Sequence, residues 1–338
     1  MSKEIHFSDI MSEAPDNFTI QDAIGKCYFH IKSHSNVVAA VSGGADSDVM
    51  LDMIIRCGGK EKTTFVFFNT GLEYEATKRQ IRNLEEKYGI EIKVLPPIKP
   101  IPSCVREYGV PFWSKRVSDY ISRLQRHGFK WESKPFDVLC KEYPNCKVAL
   151  KWWCDAWPEG KDGQKSRFNI SYTPWLKDFM LENPPDFKIS ANCCTYAKKN
   201  PVKKFMKASN ADLNCTGVRK AEGGTRATGF SYCYTAALAG PDQYRPLFWF
   251  TDADKKEFDE HYGITHSDCY EVWGMKRTGC AGCPFGKDFE GELALAEKYE
   301  PKFHKAMQNV FGASYDYTRR FLAFRKEMKD IDKEVIER

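Results

Sequence analysis

The chain has 338 residues, is 42% hydrophobic and carries a formal net charge of +5. That length buries a sizeable core, as one large domain or a domain with a helical extension, and so mild a charge suits anionic ligands without establishing a nucleic-acid partner. No apolar run reaches the roughly 18 residues of a membrane span, the opening MSKEIHFSDI lacks the apolar stretch of a secretory signal, and thirteen cysteines form an odd count; a soluble cytoplasmic protein with reduced cysteines is expected rather than a membrane or disulfide-framed one.

Residues 1–20 show little periodicity and are expected to form an irregular arm. A helix is expected over 21–34, then a buried strand at Val37-Val38-Ala39-Ala40-Val41, short and partly β-branched. Ser42 to Ser47 reads as a turn, followed by Val49, Met50, Met53 and Ile54 at helical spacing and a stop at Gly58-Gly59. A second strand is expected over 63–68, with Asn69-Thr70-Gly71 as its exit turn. Next come a helix over 73–88 ending at Gly89 and a strand over 90–95. Alternation of this kind predicts an α/β fold, a parallel twisted sheet with helices on both faces. Beyond Phe112 the pattern is harder to read: a basic helix over 114–127, the aromatic stretch Lys151 to Trp157, a short helix over 174–180 and a late strand over 214–218. From about Gly286 the chain is charged and helical. The expected division is an arm at 1–20, a nucleotide-binding domain at 21–285 and a C-terminal helical extension at 286–338.

Ser42-Gly43-Gly44-Ala45-Asp46-Ser47 sits between a strand and a helix. Glycines there let backbone amides turn inward as an anion nest, and the helix start adds partial positive charge. Ser42 and Ser47 offer hydroxyls to phosphate, while Asp46 suits a magnesium ion or a helix cap. The plain alternative is a glycine-rich turn with a capping residue. The second acid-bearing turn, Asn69 to Glu73, tips the balance to nucleotide binding. No Gly-Lys-Ser/Thr follows, so this is not a Walker A loop, and the absence of GxGxxG disfavours a hydride-transferring enzyme.

SGGADS resembles the SGGxDS PP-loop of ATP pyrophosphatases, the adenine nucleotide alpha-hydrolases that split ATP between its α- and β-phosphates. VFFNTGLEYEAT, the stretch Thr216 to Arg226 and the stretch Arg245 to Asp254 resemble motifs of the phosphoadenylyl-sulfate (PAPS) reductase family, over roughly residues 20–290. The resemblance implies ATP or a related adenine nucleotide as ligand, held by Ser42, Gly43, Gly44, Asp46, Ser47, Asn69, Thr70, Gly71, Glu73, Gly217 and Arg219. It implies catalytic roles for Asp46, Ser47, Lys198, Arg219 and Arg226, the two arginines gripping phosphate or sulfate oxygens; ordinary surface ion pairing is the alternative.

Cys193-Cys194 and Cys280-Ala281-Gly282-Cys283 are two cysteine pairs far apart in sequence. Four thiolates suit zinc or an iron–sulfur cluster, and a lone CxxC also suits redox chemistry. Adenylyl-sulfate reductases carry a Cys-Cys…Cys-x-x-Cys set on a 4Fe–4S cluster, and the resemblance implies that role for Cys193, Cys194, Cys280 and Cys283. Lys198 stands where that family has a lysine after the first pair. The other nine cysteines carry no motif and read as small buried hydrophobes.

Two departures separate the chain from those reductases. Their loop is degenerate, and this one is intact, which favours ATP. Their nucleophile is a cysteine in a C-terminal Glu-Cys-Gly-Leu-His motif, whereas the last cysteine here is Cys283. The expected function is therefore ATP cleavage at the α-phosphate in support of iron–sulfur-dependent sulfur transfer, onto a nucleic acid as in the similar proteins of DNA phosphorothioation and tRNA thiolation. A cysteine desulfurase or other sulfur donor is the implied partner, and a homo-oligomer is compatible. Basic stretches 115–130 and 198–207 would meet DNA or RNA, and Trp152, Trp153 and Trp157 would stack bases; a solvated helix face and an aromatic core are the alternatives. Two other functions stay open: a PAPS or adenylyl-sulfate reductase, and a non-catalytic nucleic-acid-binding component of a modification or defence complex.

Overall fold

A computed structural model describes residues 5–160, 163–223, 228–286 and 288–337. They form two compact units. One comprises the described residues up to Pro100 together with Tyr196–Ala281; the other comprises Ile101–Thr195 and the described residues from Gly282 onward. Helices Phe7–Ser12 and Phe18–Ser33 occupy ground expected to be irregular. Asn17 caps the second of these, its side chain accepting from the amides of Thr19 and Ile20.

The first unit holds a six-stranded sheet: β1 (Val37–Ala40), β2 (Thr63–Phe68), β3 (Ile92–Leu95), β4 (Leu213–Thr216), β5 (Tyr234–Thr235) and β6 (Asp242–Tyr244). Its order is β3-β2-β1-β4-β6-β5. Every neighbouring pair is parallel except β5 with β6. Val37 faces Thr63 on one side and Leu213 on the other, so β1 is central. Side chains alternate across the sheet. Val37, Ala39, Val41, Phe65 and Phe67 join one core with Ile24, Met50, Ile54, Ile81 and Leu84 of helices Phe18–Ser33, Ala45–Arg56 and Glu75–Tyr88. On the opposite face Val38 and Val66 are buried as well, and Phe68 meets Phe205 of helix Asn200–Ala208 edge-on, 6.3 Å between centroids. The α/β class with a mostly parallel sheet and helices on both faces is thus observed.

The second unit is helical around an aromatic core. Phe112, Ile121, Leu124, Trp152, Trp153, Phe179, Tyr317 and Phe321 are all buried there. They come from helices including Lys115–Arg126, Lys147–Trp153, Leu176–Glu182 and Pro301–Glu337. Trp153 donates its indole N–H to the Glu132 carbonyl at 2.9 Å, satisfying its polar atom. This corrects the base-stacking expectation for Trp152 and Trp153, which are 2% and 0% exposed. Trp157 is half-buried against Phe168, with Lys151 over its ring.

Candidate functional site

The order of chain tracing reverses between β2 and β4 on either side of β1, and open α/β sheets bind ligands beyond their strand ends at such a point. The Ser42–Ser47 loop leaves β1 there. Gly43 has φ +66°, and a Cβ on it would lie 2.8 Å from Thr77 Cγ2, so only glycine fits. The loop is ordered by its own hydroxyls. Ser47 Oγ donates to the Gly44 carbonyl at 2.7 Å and accepts from the Ser42 amide at 3.1 Å. The Gly44 amide donates to Ser42 Oγ at 3.3 Å. Helix Ala45–Arg56 starts inside the motif, so Asp46 and Ser47 lie in its first turn. Its N-cap is Gly44, with no side-chain cap, and Asp46 does not cap it.

Gly217, just past β4, packs on this helix start. A Cβ there would sit 2.8 Å from the Asp46 carbonyl oxygen and 3.1 Å from the Ser47 amide nitrogen. Arg219 follows, 8% exposed. Its Nε donates to Asp46 Oδ1 at 2.8 Å and its Nη1 to Asp252 Oδ1 at 2.9 Å. The expected phosphate-gripping arginine is therefore held by two carboxylates, one of them on the loop. Arg226 lies outside the described residues.

At the end of β2, Asn69 Oδ1 accepts from the Gly71 amide at 2.8 Å, closing a turn in which Gly71 has φ +80°. Thr70 is fully buried and donates its hydroxyl to Glu73 Oε1 at 2.6 Å. Burial pushes the Glu73 carboxyl up, against the opposing pull of the Lys198 charge and of the Thr70 hydrogen bonds. Lys198 lies in a π-helical stretch, Thr195–Lys199, that leads into helix Asn200–Ala208. The first unit thus contains every nucleotide-site residue expected from the sequence, Arg226 apart, together with Lys198.

A polar network behind the loop was not expected. Asp48 is fully buried on the loop helix, and its Oδ2 accepts from Gln80 Nε2 at 3.1 Å and from His266 Nδ1 at 3.1 Å. His266 Nε2 lies 3.1 Å from Asp259 Oδ2 and 2.9 Å from Lys255 Nζ. Burial works to lower the His266 pKa, but its bonds to Asp259 and Asp48 outweigh that and push it up to about 9. Burial raises the Asp48 carboxyl, whose Oδ1 has no partner among the described residues. Nothing local in the sequence signals this network, because Asp48 and His266 are 218 positions apart.

The cysteines divide between the units: Cys193, Cys194 and Cys283 belong to the second and Cys280 to the first. Cys193 is buried and the other three are half-buried. Gly282, at φ +62°, makes the knuckle tight; a Cβ on it would come within 2.7 Å of Met307 Sδ. Among the described residues no three His, Cys, Asp or Glu side chains stand as a metal-holding group. By donor chemistry alone, four thiols in two sequence pairs suit zinc or an iron–sulfur cluster. Of the nine other cysteines, Cys27, Cys57, Cys104, Cys146, Cys215 and Cys269 are buried, while Cys140, Cys154 and Cys233 are half-buried. Lys115, Arg126 and Lys130 are exposed in one unit, and Lys203, Lys204 and Lys207 in the other. No described helix is long and apolar enough to cross a membrane.

A family model for the phosphoadenosine phosphosulfate reductase domain matches residues 36–151. An uncharacterized protein of Methanocaldococcus jannaschii is 37% identical over 276 residues, 81% of this chain and 41% of that protein, so the chain spans about two fifths of the length of the curated relative. Among solved structures, a PAPS reductase from Candida auris in complex with phosphate matches at TM-score 0.42 and 13% identity, covering 76% of this chain and 87% of that one. The U34-tRNA thiolase of Methanococcus maripaludis with its 4Fe–4S cluster matches at TM-score 0.34 and 13% identity, covering 88% and 80%. At such identity and score neither structure's ligands transfer to this chain.

Proposed function

We propose, for a chain whose residues 36–151 belong to the phosphoadenosine phosphosulfate reductase domain family, that it binds ATP in the Ser42–Ser47 loop and cleaves it at the α-phosphate in support of sulfur transfer. The observation that carries this reading is the loop itself: an uncapped helix start at the end of the central strand, with glycine at both points of closest backbone approach, Gly43 and Gly217. Backbone amides and the helix start would hold the leaving pyrophosphate. Arg219, poised on Asp46, would exchange that carboxylate for phosphate oxygens, to which its planar fork is matched. The freed Asp46 would then be a ligand for magnesium, which supplies charge neutralisation on the phosphates when bound. Glu73, its carboxyl pushed up by burial, and Lys198 would line the acceptor side.

Cys193, Cys194, Cys280 and Cys283 would hold a 4Fe–4S cluster, whose chemistry when bound is to carry or hand over sulfur. The exposed Lys203, Lys204 and Lys207 support a nucleic-acid acceptor, DNA or RNA, through phosphate contacts. A desulfurase-type partner would supply the sulfur. Pyrophosphate release from ATP with magnesium tests the reading, and Ser47→Ala should reduce it at least about 100-fold by disordering the loop. Iron and acid-labile sulfide in the anaerobically purified protein, lost together in Cys280→Ser, test the cluster; zinc without sulfide would end the sulfur-transfer part. The family name also favours a second reading, sulfonucleotide reduction, for which sulfite release from PAPS with thioredoxin is the assay.

A further inference from the structure

The helix after the phosphate loop begins without a side-chain cap, and its first amides find different partners. Those of Ser47 and Asp48 reach the Gly44 carbonyl, at 2.8 and 3.2 Å. Beside the Ala45 amide, the hydroxyl of Tyr270 lies against Gly44 of the loop. The same hydroxyl accepts from the Thr278 amide at 3.1 Å and shares a hydrogen bond with Thr278 Oγ1 at 2.9 Å. Both hydroxyls lie against the loop: a Cβ on Gly44 would sit 3.3 Å from Tyr270 Oη and 3.4 Å from Thr278 Oγ1. One neutral oxygen therefore holds the Thr278 amide beside a helix start, where an anion is the favoured occupant. Thr278 is followed, two residues on, by Cys280.

We propose that Tyr270 is a positioning residue that couples occupancy of the phosphate loop to the segment carrying Cys280. Its hydroxyl stands where a phosphate oxygen would bind the Ala45 amide. Entry of a pyrophosphate group displaces it, since an amide bonds a charged oxygen about twice as strongly as a neutral one. The Thr278 amide then loses its acceptor, and residues 276–281 loosen as nucleotide binds. This rests on the phosphate-binding reading above and adds to it a direct route from the loop to the first thiol of the CxxC pair.

Hydrogen exchange on the protein as purified, with and without inorganic pyrophosphate, tests the coupling. In the wild type, pyrophosphate should speed amide exchange over 276–281 about fivefold, the loss of one hydrogen bond. Tyr270→Phe keeps the ring and removes the hydroxyl. It should start at the faster rate, show no response, and bind pyrophosphate about fivefold more tightly by calorimetry. A purely structural tyrosine would not tighten binding when altered. Pyrophosphate binding to the wild type with exchange over 276–281 unchanged or slowed would overturn the inference and leave the loop reading intact; so would a Tyr270→Phe protein that still responds. No pyrophosphate binding by the wild type would remove the loop reading itself, and the inference with it. The wild-type measurement decides even if the variant does not fold.

Discussion

The two units solve the problem of backbone specification differently. In the sheet unit, tight positions fall to glycine: Gly43, Gly58, Gly71 and Gly89 all have positive φ, each at the exit of a strand or helix. The helical unit has such glycines too, Gly109, Gly128, Gly163 and Gly282, but there Trp113, Trp131, Asp155 and Trp175 also adopt positive φ, between 52° and 59°. Left-handed backbone costs a bulky residue about 1–2 kcal/mol, so something else must hold it. The aromatic core supplies that: Trp131 packs edge-on against Phe129 and Trp153, and Trp113 against Phe321. The sheet unit leaves its tight strand and helix exits to glycine, whereas the helical unit adds tryptophans that packing holds there.

Alterations in the two units should sharpen this contrast. The largest effect is expected from Trp153→Ala, which empties the centre of the aromatic core and leaves the backbone around Trp131 unsupported. It should cost about 3–5 kcal/mol in denaturant unfolding. A cost below about 1 kcal/mol would mean that packing does not hold that unit. Gly217→Ala is next. The added methyl would press on the Asp46 carbonyl and Ser47 amide, and pyrophosphate binding by calorimetry should weaken about tenfold or more, at an overpacking cost of about 1–3 kcal/mol. Unchanged affinity would show that β4 and the loop need no close approach.

His266→Gln probes the buried network behind the loop. His266 has a folded pKa raised from about 6.5 to about 9. A raised pKa contributes stability that is complete below the unfolded value and is lost as pH rises through the folded one. The melting-temperature gap between wild type and His266→Gln should therefore be widest at pH 6 and narrow by about pH 9.5. A gap that widens with pH would contradict the ion pairing with Asp48 and Asp259. The smallest effect belongs to Asn210→Gly. Asn210 is an exposed left-handed residue of the sheet unit, at φ +49° and without core packing to hold it, so glycine should be neutral to stabilising by on the order of 0.5 kcal/mol. Trp131→Gly, with the same backbone sign, should destabilise, because the ring it removes is part of the core.

The same contrast explains what could be read from the sequence. Val37–Ala40 and Thr63–Phe68 stand out as short apolar runs, and Gly89 marks a helix end at its expected place with φ +57°. The positions of Ser42, Gly43, Gly44, Asp46, Ser47, Asn69, Thr70, Gly71 and Glu73 just past strand ends are legible because the runs that form β1 and β2 directly precede them. The division into units is not legible, because each unit is built from separated stretches; Pro96, Pro97, Pro100 and Pro102 surround the break at 100/101, but nothing in the sequence says that the chain returns to the first unit at 196. Tryptophan at a left-handed position carries no turn signal, so residues 112–173 read poorly. The partnerships of Asp48 with His266 and of Gly44 with Tyr270 join positions more than 200 apart and exist only in the fold.

The central claim is that the Ser42–Ser47 loop serves cleavage at the α-phosphate. Labelling ATP at that phosphate, incubating it with the protein, magnesium and a mixed nucleic-acid acceptor, and resolving the products tests it most directly. The account predicts labelled AMP or an adenylylated acceptor with one pyrophosphate for each, both lost in Ser47→Ala. Labelled ADP with orthophosphate, or no turnover and no binding of ATP, would contradict it.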